Sequence, residues 1–259
     1  MSLNGRVVLV TGASSGFGAA TARRCAAAGA RLVLAARSAE RLDEHAAAIR
    51  RAGGEVLALP ADVTSDADVE RLVEATLVRF GRVDVLVNNA GMGVLNGIAE
   101  APLAELEAML QVNLLGAVRC IRAVLPPMLA QGQGQIVNVA SMAGLLGMPN
   151  FAYYGATKAA LIALTRSMQQ DLADTGVRCV AICPGAARTP FFRHAHIEKL
   201  PRTTLLIPWL SDEEVAAVIV HAIARNAEGE ILVPALALPL IRLANAFPAL
   251  ARLVVRFLR

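Results

Sequence analysis

A doubly wound parallel α/β sheet is the fold that this sequence predicts, and three observations carry it. Short apolar runs of β-branched type alternate with helical stretches along most of the 259 residues, the pattern of a parallel sheet with helices on both faces. Ala, Val and Leu supply most of the apolar content and aromatics only 4%, which suits helices packed closely on a sheet. Several strand-like runs are stopped by turn-forming residues, the first by a glycine-rich turn that opens a helix. In such sheets ligands bind beyond the carboxyl ends of the strands.

Taken in order, Arg6 to Val10 reads as the first strand. The turn Thr11-Gly12-Ala13-Ser14-Ser15-Gly16-Phe17-Gly18 follows, then an alanine-rich helix to about Ala28, with Gly29 as its stop signal. Arg31 to Ala36 is a second strand, and Ser38 to about Ala52 a helix broken by Gly53-Gly54. Glu55 to Leu59 is a third strand, Asp66 to Phe80 a helix, and Val83 to Val87 a fourth strand ended by Asn88-Asn89-Ala90-Gly91. A long helical region runs from Leu103 to Leu129, and Pro126 and Pro127 should kink or end it, because proline removes a helix hydrogen bond. Gln135 to Ala140 is a fifth strand ending at Ser141, Phe151 to Ala173 a helix, and Val177 to Cys183 a sixth strand stopped by Pro184-Gly185. An irregular stretch leads to Pro208, then a helix spans Asp212 to Arg225 and Glu230 to Val233 makes a seventh strand. One domain across residues 1–233, followed by an apolar extension over 234–259, fits a chain of this length.

Composition sets limits on partners. The net charge of +4 is spread along the chain, so no basic block argues for nucleic acid. Cys25, Cys120, Cys179 and Cys183 lack metal-ligand or CxxC spacing and read as small buried hydrophobes in a reducing, cytoplasmic compartment. The first residues do not read as a signal peptide, since a strand pattern follows at once. No uninterrupted apolar run reaches bilayer-spanning length.

The chemistry concentrates between Ser141 and Lys158. The chain has only two tyrosines, Tyr153 and Tyr154, and only two lysines, Lys158 and Lys199; every other basic residue except the histidines is arginine. Lysine can lose its proton in a protein and arginine cannot, so Lys158, four residues after Tyr154, is a candidate for proton chemistry. A shared helix face is the plainer reading of that spacing. Gly12, Gly16 and Gly18 open the first helix, where backbone can approach a pyrophosphate and the helix N-terminus supplies N–H donors. Their spacing is not the usual Gly-x-Gly-x-x-Gly. After the second strand, where an acid would grip a ribose 2′-hydroxyl, Ala36 is followed by Arg37. An arginine can clamp a 2′-phosphate bidentately; the plainer reading is a solvated helix-cap residue.

Together these residues resemble the short-chain dehydrogenase/reductase family over roughly Gly5 to Val233. The resemblance rests on Thr11-Gly12-x3-Gly16-x-Gly18, Asp62-Val63, Asn88-Asn89-Ala90-Gly91, Asn113, Ser141, Tyr154-x3-Lys158 and Pro184-Gly185 with Thr189. It implies a Rossmann-like sheet and roles residue by residue. Tyr154 would be the general acid/base, Lys158 would lower its pKa and hold the nicotinamide ribose, Ser141 would steady the substrate oxygen, and Asn113 would anchor a water that relays protons. Asp62 and Val63 would meet the adenine, and Asn89, Ala90 and Gly91 the adenosine ribose. Pro184, Gly185, Ala187 and Thr189 would border the nicotinamide. Ser14, Ser15 and Arg37 are the candidates for a 2′-phosphate, with Phe17 in the same turn. The cofactor expected is therefore NADP(H), with no metal.

The loop after the sixth strand, about residues 186–210, holds Phe191, Phe192, Ile197, Leu200, Leu205, Leu206 and Trp209. In the family this segment covers the substrate, and a closing lid excludes water. His194 and His196 lie there too, and without further ligands they read as loop residues. Met92 to Ile98 and Met142 to Met148 are candidates for the other pocket walls. The implied substrate is an apolar ketone or secondary alcohol such as a steroid, retinoid or lipid. A 3-oxoacyl-thioester reductase is the nearest alternative, and a non-catalytic NADP(H)-sensing or scaffold protein is another. The extension departs from the family pattern. Leu250, Leu253, Val254 and Phe257 would share one helical face and Arg252, Arg256 and Arg259 another, while Pro234, Pro239 and Pro248 argue against one continuous helix. Packing on its own or a sister subunit is expected ahead of peripheral membrane contact, and a homodimer or homotetramer is the expected assembly.

Overall fold

The computed structural model describes residues 2–187 and 209–249. Seven strands form one sheet in the order β3-β2-β1-β4-β5-β6-β7, and every pairing is parallel. The strands are β1 (Val7–Thr11), β2 (Arg31–Ala36), β3 (Val56–Pro60), β4 (Val85–Asn88), β5 (Gly134–Val139), β6 (Val177–Pro184) and β7 (Gly229–Val233). Between and after them lie α1 (Gly16–Ala27), α2 (Ala39–Arg51), α3 (Asp66–Phe80), α4 (Leu103–Leu110), α5 (Gly116–Gln131), α6 (Ala152–Asp171), α7 (Asp212–Ala224) and α8 (Ala237–Ala246).

Strand side chains alternate between faces, and the two faces of this sheet carry separate cores. Val8, Val10, Leu32, Leu34, Val85 and Val87 pack with Cys25 of α1, Leu42 and Ile49 of α2, and Ile219 and Ile223 of α7. Leu9, Val33, Leu86 and Ile136 pack with Leu72 of α3, Ile121 and Val124 of α5, and Met168 of α6. All four cysteines are buried and free, as small hydrophobes.

The expected elements are present, with strand ends displaced. Four strands reach one residue further than the apolar runs suggest, so that β1 ends in Thr11, β3 in Pro60, β4 in Asn88 and β6 in Pro184, while β5 and β7 begin one residue earlier. Ladder hydrogen bonds continue through these residues although hydropathy stops before them. The long helical region differs more. Pro126 and Pro127 do not end it, since α5 runs on to Gln131 and is closed by Gly132 at φ +63°. The break falls instead at a π-helical turn, Gln111–Leu115, with Asn113 buried at its centre. By length and composition Leu103–Gln131 is apolar enough to cross a bilayer, with mean hydropathy 1.4; here Cys120, Ile121, Val124 and Met128 lie in the core beside the sheet. Pro239 sits in the first turn of α8, where a missing N–H costs a helix nothing.

A buried polar chain joins the centre of the sheet to α6. Asn88 and Asn138 are register partners on β4 and β5. Asn88 Nδ2 donates to Asn138 Oδ1 at 2.9 Å, Asn138 Nδ2 to Thr165 Oγ1 at 2.9 Å, and Thr165 Oγ1 to the Leu161 carbonyl at 2.8 Å. Removing a middle member strands two buried partners. Asn138→Ala should therefore lower unfolding free energy by about 1–3 kcal/mol in urea titrations, while Val78→Ala, exposed on α3, should change it by less than about 0.5 kcal/mol.

Candidate active site

The strand order reverses between β1 and β4, and the polar residues after these strands meet across that switch point. Thr11 Oγ1 accepts hydrogen bonds from the main-chain N–H groups of Asn89 and Ala90, both at 3.0 Å. Asn89 Nδ2 returns to the carbonyls of Thr11 at 3.0 Å and Gly12 at 3.2 Å. The Asn89 side chain is thus a strut that holds the glycine turn against β4. The turn needs its glycines: Gly12 has φ +64°, and a Cβ on Gly18 would lie 2.3 Å from the Gly12 carbonyl oxygen. Ser15 precedes α1 without a side-chain capping bond, and no carboxylate occupies the first turn. That is a helix N-terminus suited to an anion. The Ser14 carbonyl lies 3.3 Å from His45 Nε2 of α2.

Arg37 is exposed directly beyond β2, and among the described residues it forms no ion pair. Asp62 forms a local turn, its Oδ1 accepting from the N–H and hydroxyl of Thr64 at 2.9 and 2.8 Å. Val63 is buried against Gly116, where a Cβ would come within 2.7 Å of its Cγ2. Gly91 is half-buried beyond the strut.

At the carboxyl end of β5, Ser141 caps the short turn Met142–Gly144, its Oγ accepting from the Ala143 N–H at 3.1 Å. It also lies 3.4 Å from the Pro184 carbonyl, which can accept from it, and it hydrogen-bonds the Tyr154 hydroxyl. Tyr154 and Lys158 lie one turn apart on the buried side of α6. Lys158 Nζ stands 5.9 Å from the Tyr154 ring centroid and donates to the Val139 carbonyl at 2.8 Å. Phe151 meets Tyr154 edge-on at 6.1 Å. Tyr153 turns away, its hydroxyl 3.3 Å from the Ala101 carbonyl.

Burial governs the ionisation of this group. It pushes the Tyr154 phenol up to about 12, against a smaller downward pull from the Ser141 hydrogen bond. It also drives the Lys158 ammonium down to about 8. For both groups burial is the larger influence. Both groups are most stable neutral when taken out of water.

Asn113 faces the same group from the π turn. Its Nδ2 donates to the Met92 carbonyl at 2.9 Å and to Thr157 Oγ1 at 3.0 Å, and its Oδ1 accepts from the Met92 N–H at 2.8 Å. Thr157 in turn donates to the Tyr154 carbonyl at 2.8 Å. Thr157, the main chain of Met92 and the Val139 carbonyl are partners that sequence reasoning missed. Only Thr157 carried a signal, a hydroxyl three residues after Tyr154 on a helix. Met92, Val94 and Met148 pack around Leu95, Met109, Ala143, Phe151 and Tyr154, whereas Ile98 is exposed.

Gly185 donates its N–H to the Val233 carbonyl, and Ala187 bridges to Leu210. These contacts hold the start of the loop after β6 beside the Ser141 turn. Thr189, His194, His196 and all the bulky lid residues except Trp209 lie outside the described residues, as do Leu250 to Arg259.

The comparisons with known proteins agree with this geometry. The family model for short chain dehydrogenase matches residues 6–199. A 3-oxoacyl-[acyl-carrier-protein] reductase of Synechocystis is 38% identical over 219 residues, covering 84% of this chain and 89% of that relative. A 2-(R)-hydroxypropyl-CoM dehydrogenase of Xanthobacter autotrophicus is 44% identical over 192 residues, covering 71% of this chain and 76% of that relative. Among solved structures, a short chain dehydrogenase/reductase from Burkholderia phymatum in complex with NAD superposes with a TM-score of 0.86 at 32% identity, covering 97% and 96% of the two chains. An actinorhodin polyketide ketoreductase with NADPH gives 0.81 at 34% identity, covering 88% of this chain and 95% of that one. With more than half of its length matched by the family model, this chain belongs to the short-chain dehydrogenase/reductase family.

Proposed function

We propose that this protein is an NADP(H)-dependent oxidoreductase that interconverts a bulky apolar ketone and its secondary alcohol. The observation that carries the reading is the buried group at the strand ends, in which the Tyr154 hydroxyl meets Ser141 and lies one turn from Lys158. When bound, the nicotinamide carries the hydride. The residues that would hold the cofactor are the glycine turn of Gly12, Gly16 and Gly18 with Ser14, Ser15 and Phe17, then Asp62, Val63, Ala90, Gly91 and the Pro184–Ala187 segment. The fit is of chemistry: α1 opens with no carboxylate in its first turn, and Arg37 is exposed where a 2′-phosphate needs a cation. Asn89 contributes through the turn it props up.

Tyr154 is neutral at physiological pH, since burial holds its pKa near 12. It can give a proton to the oxygen of a ketone as that oxygen gains charge, and reduction is the direction that goes with the phosphorylated cofactor Arg37 would select. Ser141 hydrogen-bonds the same oxygen. Lys158, with its pKa down at about 8, is within reach of exchanging a proton at neutral pH. The donors of the Asn113 amide are occupied by Met92 and Thr157, so a water relay through this residue falls to its main chain at the π turn. The apolar cluster of Met92, Val94, Leu95 and Met148 around Tyr154 supports an apolar substrate. The Synechocystis relative's name favours a second reading, a 3-oxoacyl-thioester reductase. A homodimer or homotetramer in the cytoplasm completes the proposal.

Turnover is the deciding experiment. NADPH oxidation with a panel of ketones and 3-oxoacyl thioesters should reveal a substrate, and Tyr154→Phe should cut kcat by about 10²–10⁴-fold, the usual worth of a general acid, with NADPH still bound. Nucleotide binding without any turnover would support the sensing role instead. Arg37→Ala should weaken NADPH about 10–100-fold, the loss of a charge-assisted bond, and leave NADH affinity unchanged; unaltered NADPH affinity sinks the 2′-phosphate argument.

Lys158 also carries a stability signature. Its folded pKa, lowered from 10.5 to about 8, means that its charged form destabilises the fold. That cost is fully present below pH 8 and fades as pH rises from 8 to 10.5. By linkage it is on the order of 3 kcal/mol. The buried thiols, pushed up to about 12, act oppositely at alkaline pH, so the readout is a difference between proteins. Lys158→Met should abolish turnover while gaining stability relative to wild type at pH 7, an advantage that shrinks toward pH 10.5 in urea titrations.

A further inference from the structure

We propose that α8 docks this protein onto an anionic phospholipid bilayer. The helix has two unlike apolar sides. Ala237 and Ile241 are buried in a cluster with Met142, Leu161, Ile162 and Leu232, and Leu238, Leu145 and Leu146 pack against it. The other side carries Leu236, Leu240, Leu243 and Phe247, which are 63%, 55%, 51% and 58% exposed. Their spacing of four, three and four residues puts them in one stripe along the helix. The exposed large hydrophobics elsewhere among the described residues are scattered on α3, the segment before α4, α4 itself, the π turn and α5.

Charge chooses the occupant. Residues 234–259 contain Arg242, Arg252, Arg256 and Arg259 and no acidic residue. Arg242 is exposed on α8 beside the stripe. An apolar stripe in a segment whose charged side chains are all cationic is the chemistry of a helix lying in the headgroup region of an anionic leaflet. A second copy of this chain is a poorer occupant, because a two-fold contact brings the same patch of each copy together. Those segments offer no carboxylate to each other's arginines.

The docking helix is tied to the site. Asn245 Nδ2 donates to the Leu145 carbonyl at 3.3 Å, and Leu145 follows the turn that Ser141 caps. A bilayer contact through α8 therefore lies beside the Ser141 loop. The inference stands on the exposed stripe of α8 and the charge of residues 234–259, and holds whether or not the reaction proposed above is correct.

Flotation of the full chain with vesicles tests it. The protein should float with phosphatidylcholine vesicles containing phosphatidylglycerol, stay behind with phosphatidylcholine alone, and be released by high salt. Leu240→Glu with Leu243→Glu should lower the bound fraction at least about tenfold, and Arg242→Ala should weaken binding roughly fivefold. Both positions of the double variant are exposed, so its thermal midpoint and circular dichroism should match wild type. The proposal is overturned if the full chain ignores anionic vesicles, if the folded double variant binds them equally, or if both vesicle types bind alike. It is also overturned if the same substitutions split an oligomer in light scattering while vesicles are ignored, which would assign the stripe to a second copy.

Discussion

Helices cover both faces of the central strands, so side chains from β1, β4 and β5 have nowhere to go but into one of two apolar cores. A sheet buried in this way can place polar groups only where a strand ends or where a buried polar chain satisfies itself. The chain does both. Asn88, Asn138 and Thr165 pair internally, while Thr11, Asn89, Ser141 and Pro184 gather at the carboxyl ends. The location of the site follows from that constraint rather than from any one motif.

The same burial sets the chemistry. Tyr154 and Lys158 are drawn into α6 far enough that desolvation, not mutual charge, dominates both pKa values. A phenol held neutral is a proton donor in waiting, and an ammonium brought down to about 8 can exchange its proton near neutrality. The support around them is equally specific. Asn113 clamps Met92 on one side and Thr157 on the other, and Thr157 bonds back to the carbonyl of Tyr154. The π turn that delivers Asn113 interrupts an otherwise continuous helical rod, which fits the tendency of such turns to occur at functional positions.

Beyond β7 the chain stops obeying the logic of the sheet. One side of α8 completes a core cluster and the other leaves four large apolar side chains facing outward. Hydropathy alone cannot separate these sides, because both are apolar. Their difference arises from what each side meets.

Local sequence was enough to read the alternation of strands and helices, the glycine turn after β1, Tyr154 in place of Tyr153 and the grouping of Tyr154 with Lys158. All of these are local: period, turn chemistry and a four-residue spacing act within a few residues of chain. The structure alone decided the role of Asn89 as a strut, the clamp on Asn113, the continuation of α5 through Pro126 and Pro127, and the direction in which the Tyr154 and Lys158 pKa values move. Each of those depends on groups far apart in sequence, such as Thr11 with Asn89 or Met92 with Asn113, or on the degree of burial. Neither quantity exists until the sheet has brought the strand ends together and the helices have excluded water.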